Sequence, residues 1–408
     1  MSVKKILFIP QNREHLLNMN PVMSKLVADG IICDYLDTNN IFLQGLDYPK
    51  EVKTLSFSDK KLSKSFYNIS SLEKIRFVYS LKNTIHDITK KYDSFVFGND
   101  GAIQRQFIYF AKKQNKPCSM ILDGLINEPE MFNFLDVIKY SKNKFADIKE
   151  LLAKKLVLYI SKAFSSTKFS PYLPSIIACS NLNEIYTIGE FSQNAIKKYT
   201  HKRTAVLNTG LPRMIAYFTS KPKSFVPKHP KSVCFITSAY KWHGLLSYHQ
   251  YQINDILLVR KCLDALFPND DYTLYIKLHP RENPKDYVQF SNVKGMELVA
   301  NEPFMNTITN YKVLLSNLST CIVEGINLGV NVGSIMVNFP YWKVKNGFLK
   351  DDSIIKYFSE EELKWSLKRQ FEFPEVFYND ASSSVYMSKN TPLSVDRISE
   401  NIQSLLNN

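Results

Sequence analysis

Three short clusters in this sequence carry the residue types that group transfer needs. The first, Lys277-Leu278-His279-Pro280-Arg281-Glu282, places an imidazole directly after an alternating run that begins at Tyr275. Proline has no backbone donor, so the pattern predicts a strand that ends at His279-Pro280 and releases the ring at its carboxyl end. A histidine delivered there donates to a phosphate oxygen or balances charge on a phosphate leaving group, unless it merely caps a loop. The pair His229-Pro230 shows how little the dipeptide means alone, because it sits in a Pro- and Lys-rich stretch with no strand before it.

The second cluster runs from Ser316 through Ser319, Thr320 and Glu324 to Gly325. An apolar run leads into hydroxyl residues and then into a helical pattern, and hydroxyls with free amide groups at a helix start form an anion site. Glu324, one turn on, can accept both hydroxyls of a ribose. The plainer alternative is an N-cap with an acidic residue in the first turn. The two clusters reinforce each other because both end strands, expected to be neighbours, of one domain. The third cluster is Asp123-Gly124, with Asn127 and Glu128 close behind. A carboxylate at a strand end can activate an attacking hydroxyl, although Asp-Gly is also a common turn pair. Asp100, in Asn99-Asp100-Gly101, has similar placement and reads better as a helix-start turn.

Other features carry less. Lys241 and His243 lie in a polar loop, 237–244, where a nucleotide loop is expected. Residues 149–164 form an amphipathic basic helix, readable as membrane-lying or as packed with its lysines wet. The sequence contains no glycine-rich dinucleotide or P-loop motif, no H-E-x-x-H, no G-x-S-x-G and no pair of aspartates two apart. Metal dependence is therefore not expected.

The elements that must position these groups alternate. Strands are predicted at 4–10, 31–36, 94–100, 119–124, 175–181, 185–190 and 205–213, with helices over 13–29, 101–114 and 191–199. From 214 to 231 the pattern lapses into a Pro- and Lys-rich stretch, read as a linker over 216–231. Alternation restarts with strands at 232–240, 271–280, 296–300, 312–317 and 334–340, and a helix at 321–329. A closing helix over 393–406 ends the pattern. The expectation is an α/β protein with an acceptor-side domain over 1–215, a donor domain over 232–385 and a C-terminal segment over 386–408. At 408 residues, 45% hydrophobic and 22% charged, the chain is neither disordered, collagen-like nor a coiled coil. No apolar run is long enough to span a membrane, and the N-terminus reads as a strand, not a signal peptide. Six cysteines without paired spacing read as buried free thiols in a reducing compartment, hence a cytoplasmic location. The net charge of +14 suits phosphate-bearing ligands, nucleic acid or an anionic membrane face.

With these residues in place, the chain resembles a GT-B fold glycosyltransferase. More narrowly, it is similar to the bacterial sialyltransferase and capsule-transferase group that uses CMP-activated sugars. The carriers are Asp123-Gly124, His279-Pro280 and Ser319-Thr320, in that order, over roughly residues 1–345. The resemblance implies two Rossmann-like domains whose parallel sheets face a central cleft. It implies Asp123 as general base, His279 as the donor-phosphate contact, and Ser319 with Thr320 as the hydroxyl pair that binds that phosphate. The family often has a second acidic residue where Leu122 stands here. The implied reaction is metal-independent and inverting, from a CMP-linked nonulosonic acid (sialic, legionaminic, pseudaminic or Kdo-like) to a surface-glycan or lipid-linked glycan acceptor. No cofactor is expected beyond that donor, and Arg281 or Lys241 would meet the sugar carboxylate on grounds of charge. The positive balance would also suit peripheral contact with an anionic inner membrane.

The His-Pro and hydroxyl pairs also resemble the polyol-phosphate transferases of teichoic-acid synthesis, which use CDP donors. A nucleic-acid-binding module would need a basic stripe with interleaved aromatics, whereas the lysines here are scattered, so no nucleic-acid partner is expected. A catalytically silent scaffold with this fold is the remaining alternative.

Overall fold

The computed structural model describes residues 3–57, 60–127, 132–215, 227–269, 272–299, 307–350, 354–372, 386–388 and 391–407. Two units emerge, residues 1–219 with 385–408, and residues 220–384. In the first, the elements run β1 (Lys5–Ile9), α1 (Arg13–Ala28), β2 (Ile32–Asp37), α2 (Asn39–Phe42), β3 (Thr54–Ser56), α3 (Ser71–Ser80), α4 (Lys82–Lys90) and β4 (Ser94–Phe97). They continue with α5 (Ala102–Lys113), β5 (Cys118–Ile121), α6 (Phe134–Tyr140), α7 (Lys144–Phe164), β6 (Glu184–Thr187), α8 (Glu190–Lys197) and β7 (Ala205–Asn208).

All seven strands are parallel, in the order β3-β2-β1-β4-β5-β6-β7. Helices cover both faces, which is why the central strands are unbroken apolar runs and not alternating ones. Leu7 and Ile9 of β1 join one core with α4 and α5, while Ile6 and Phe8 join another with α1.

The second unit comprises β8 (His229–Ile236), α9 (Leu246–Leu266), β9 (Thr273–Lys277), β10 (Met296–Val299), β11 (Tyr311–Ser316), α10 (Cys321–Asn327), β12 (Asn331–Ile335), β13 (Ile355–Tyr357) and α11 (Glu360–Glu372). Its six-stranded parallel sheet has the order β10-β9-β8-β11-β12-β13. The chain then returns to the first unit as α12 (Ser394–Asn407). Ile398, Ile402 and Leu406, four residues apart, enter the core beside α1, and Gln403 Nε2 donates to Asp29 Oδ2 at 2.7 Å.

Several expectations need correction. Residues 175–181 form a turn and no strand, with Ala178 at φ 68°. The strand expected at 334–340 lies earlier, at Asn331–Ile335. Of the linker read over 216–231, residues 216–226 fall outside the described residues, and His229-Pro230-Lys231 already belongs to β8. His279 and Ser319 do not follow neighbouring strands, because β8 lies between β9 and β11.

Candidate active site

In open parallel sheets, ligands bind beyond the carboxyl ends of the strands, where the strand order reverses. That point lies between β1 and β4 in the first unit, and between β8 and β11 in the second. The sequence clusters fall at or beside these two places.

In the first unit β1 leads through Pro10 and Gln11 to Asn12, the N-cap of α1, whose Oδ1 accepts the His15 N–H at 2.8 Å. His15 is 2% exposed, and its ring lies so close to Gly98 after β4 that a Cβ there would stand 2.2 Å from the imidazole Cγ. The ring is fixed from both ends. Its Nδ1 accepts the Gln11 N–H at 3.2 Å, and its Nε2 lies 3.1 Å from Asp123 Oδ2. An accepting Nδ1 leaves Nε2–H as the donor to the carboxylate.

Asn12 Nδ2 donates to the same Oδ2 at 3.2 Å, while Oδ1 makes no hydrogen bond among the described residues. Arg213 braces the turn by donating to the Asp123 carbonyl at 2.6 Å, and its Nε stands 3.2 Å from Glu14. Burial alone would push the Asp123 carboxyl up. The His15 ring, the Arg213 charge and the Asn12 amide outweigh it and hold the carboxyl well below the usual carboxylate range. A Cβ on Gly124 would meet none of the described residues within 4 Å. Glu128 lies outside the described residues.

Asp100 has a different task. It is 2% exposed; Oδ1 accepts from Ala178 N–H at 2.9 Å, and Oδ2 from Ser180 N–H at 3.0 Å and its hydroxyl at 2.7 Å. With both oxygens engaged by residues 178 and 180, it staples that turn.

In the second unit His279 follows β9, with Pro280 exposed behind it. Its backbone N–H donates to Thr237 Oγ1 at 2.9 Å and to Glu282 Oε2 at 3.2 Å. Glu282 also accepts from the Thr237 and Tyr287 hydroxyls, and burial raises its carboxyl above the ordinary value. This half-buried glutamate ties the loop after β9 to the end of β8. The His279 Nδ1 accepts the Arg281 N–H at 3.1 Å, which leaves Nε2–H as the outward donor. Burial, with Arg281 and His243 nearby, pushes the imidazole down to about 4, so the ring is neutral at physiological pH.

The Arg281 guanidinium stacks over Trp242 at 4.8 Å, bringing the 237–244 loop beside the His-Pro turn. Lys241 Nζ pairs with Asp286 at 2.5 Å, so its charge is balanced locally. After β11, the Ser319 Oγ accepts the Cys321 N–H at 3.3 Å. Thr320 is the N-cap of α10, but its side chain makes no capping bond. Glu324 is 7% exposed within α10. Behind this turn Asn317 Nδ2 donates to Asp255 Oδ2, and Asn338 Nδ2 to Asp255 Oδ1, each at 2.7 Å. Burial pushes the Asp255 carboxyl up to about 6.

The structure thus brings Arg281 to the side of His279, pairs Lys241 with Asp286, and places Ser319, Thr320 and Glu324 beyond β8 from it. Asp123 stands in the other unit. Sequence reasoning missed His15, Arg213 and Asp255, and gave Glu282 no role of its own. Only His15 had a local signal, as the third residue after an N-cap asparagine at a strand end.

No protein-family model matches the sequence, and no curated protein does. Solved structures do match along the whole chain. The UDP-GlcNAc 2-epimerase from Neisseria meningitidis bound to UDP-GlcNAc is 14% identical with a TM-score of 0.54, covering 98% of this chain and 100% of its own. The calicheamicin glycosyltransferase CalG4 gives 12% and 0.52, covering 100% and 99%. The wall teichoic acid polymerase TagF gives 11% and 0.59, covering 99% and 89%. The chain has the GT-B fold. At such identities the likeness extends to the GT-B architecture and not to an activity. Among the described residues, no group of three or more His, Cys, Asp and Glu side chains forms a metal-binding set.

Proposed function

We propose that this protein is an inverting glycosyltransferase that moves a nonulosonic acid from a CMP-sugar to a glycan acceptor without a metal ion. The observation that carries the reading is the Asp123 carboxylate, with Oδ2 held by His15 and Asn12 and Oδ1 without a partner among the described residues. A carboxylate kept ionised and oriented can take a proton at one defined oxygen. Asp123 Oδ1 accepts the acceptor hydroxyl's proton as that oxygen bonds to the anomeric carbon. The bond from this carbon to the CMP phosphate breaks, and its electron pair leaves with the phosphate. A low carboxyl value suits a reaction in which carbon–oxygen cleavage runs ahead, because the attacking hydroxyl becomes acidic only late.

His279 Nε2–H and the Thr320 hydroxyl stabilise the departing CMP. Strands β9 and β11 flank β8, so they lie two strand spacings apart, about 9–10 Å. That separation suits contacts to different parts of one nucleotide better than a shared oxygen. The CMP donor rests on the resemblance carried by the Asp-Gly, His-Pro and Ser-Thr pairs.

The test is chromatographic assay of CMP-sialic acid and related CMP-nonulosonates with the wild type, Asp123→Asn and His279→Ala. His279→Ala should lower both transfer and donor hydrolysis by about 10²–10³-fold. Asp123→Asn should lower transfer by about 10²–10⁴-fold and spare hydrolysis, because water needs no such base once the cation-like centre has formed. The TagF likeness favours a second reading, polyol-phosphate transfer from a CDP donor. Consumption of CDP-glycerol with CMP-sugars untouched would establish it.

A further inference from the structure

We propose that α6 and α7 form a docking face for an anionic lipid bilayer. The proposal concerns the first unit alone and does not rest on the transfer reaction. Helix α7 is 21 residues long, yet only Leu151 and Ser161 are buried along it. The helix is packed on one side, with Leu158 also set against the core and the lysines 149, 155 and 162 exposed, as one reading of 149–164 expected. Phe145, Leu152, Leu156 and Tyr159 stand 82%, 60%, 58% and 70% exposed. At about 100° per residue these four fall within about 60° of one another, on the side roughly opposite Leu151 and Ser161. They form one outward apolar stripe. On α6, which packs against α7, Phe134, Leu135 and Ile138 are exposed as well.

Charge selects the occupant. Exposed Lys149 borders the stripe on one side, and exposed Lys155 and Lys162 border it on the other. The two acids of α7 lie towards the buried side and are engaged there, Asp147 with the Ser141 hydroxyl at 2.5 Å and Glu150 with Lys154 at 2.8 Å. An apolar stripe flanked by lysines, with no acid facing outward, matches an interfacial helix whose ring and aliphatic groups enter the headgroup boundary while ammonium groups meet lipid phosphates. A protein partner would need a complementary acidic and apolar surface of one shape; a bilayer needs only area and negative charge. No helix among the described residues is long and apolar enough to cross a membrane, so the face lies on the surface.

Flotation of the full chain with phosphatidylcholine vesicles, with and without phosphatidylglycerol, tests this. Binding should require the anionic lipid and weaken at high salt. Leu152→Glu/Leu156→Glu and, separately, Lys149→Glu/Lys155→Glu should each cut vesicle binding about tenfold or more without lowering the melting temperature, since these side chains are exposed. Equal binding to neutral vesicles, no binding by the wild type, or unchanged binding by both variants would overturn the proposal. So would a lipid-free dimer that Leu152→Glu/Leu156→Glu dissolves, because the face would then serve a second copy.

Discussion

Replacing His15 with alanine removes one of the two donors that hold Asp123 Oδ2, and leaves Asn12 as the other. A hydrogen bond to a charged group contributes about 1.5–3 kcal/mol, and each 1.4 kcal/mol is a factor of ten. If transfer depends on that orientation, kcat should fall by about 10–150-fold. The pH profile should move as well. The wild-type carboxyl is held low against burial, so transfer should persist to acid pH and fail only below the usual carboxylate range. Protonation of His279 near 4 leaves its Nε2–H donor in place, so the acid limb reports Asp123. Without the His15 donor, burial is less opposed, the carboxyl rises, and the acid limb moves to higher pH. Steady-state transfer rates between pH 3 and 8 measure both effects. An unmoved acid limb with unchanged kcat would refute the positioning role of His15.

Other outcomes follow from the same geometry. Asp100→Ala should lower stability by about 2–6 kcal/mol, because it strands two buried backbone donors, and denaturant unfolding would show it; normal stability with lost turnover would make Asp100 the base. Gly98→Ala should destabilise by about 1–3 kcal/mol through its clash with the His15 ring, whereas Gly124→Ala should leave the melting temperature unchanged. Asp255 titrates near 6 in the folded state, above its ordinary value. Stability should therefore decline by on the order of 3 kcal/mol as pH rises from about 4 to 6, a slope that Asp255→Asn removes. Asp123 acts in the opposite sense: its stabilisation is present above the unfolded value and lost as pH falls through the lower folded one.

The elements that carry the candidate site were legible because their period is strong. β1, α1, β5, β9 and β11 all lie within a few residues of the sequence reading, since buried parallel strands leave continuous apolar runs. The segment 175–181 misled because its apolar residues pack through a turn that Asp100 holds, a contact 78 residues away in sequence. Three-residue edge strands such as β3 and β13 are too short to show alternation. His279 was readable from its proline. The anchoring roles of Glu282 and Asp255 were not, because an anchoring carboxylate looks like any acidic residue until its donors from elsewhere in the chain are in place. The burial of His15 was not legible, because the groups that close over it, Asp123 and Gly98, follow other strands far along the chain.

The central claim, that His279 helps to hold a CMP leaving group, is tested most directly by thermal-shift titration of the wild type and His279→Ala with CMP, CDP, UDP and GDP. A ligand bound only by the folded state raises its melting temperature. CMP should stabilise the wild type most, and the shift should shrink in His279→Ala. A larger shift with UDP, or an equal CMP shift in both proteins, would contradict the account.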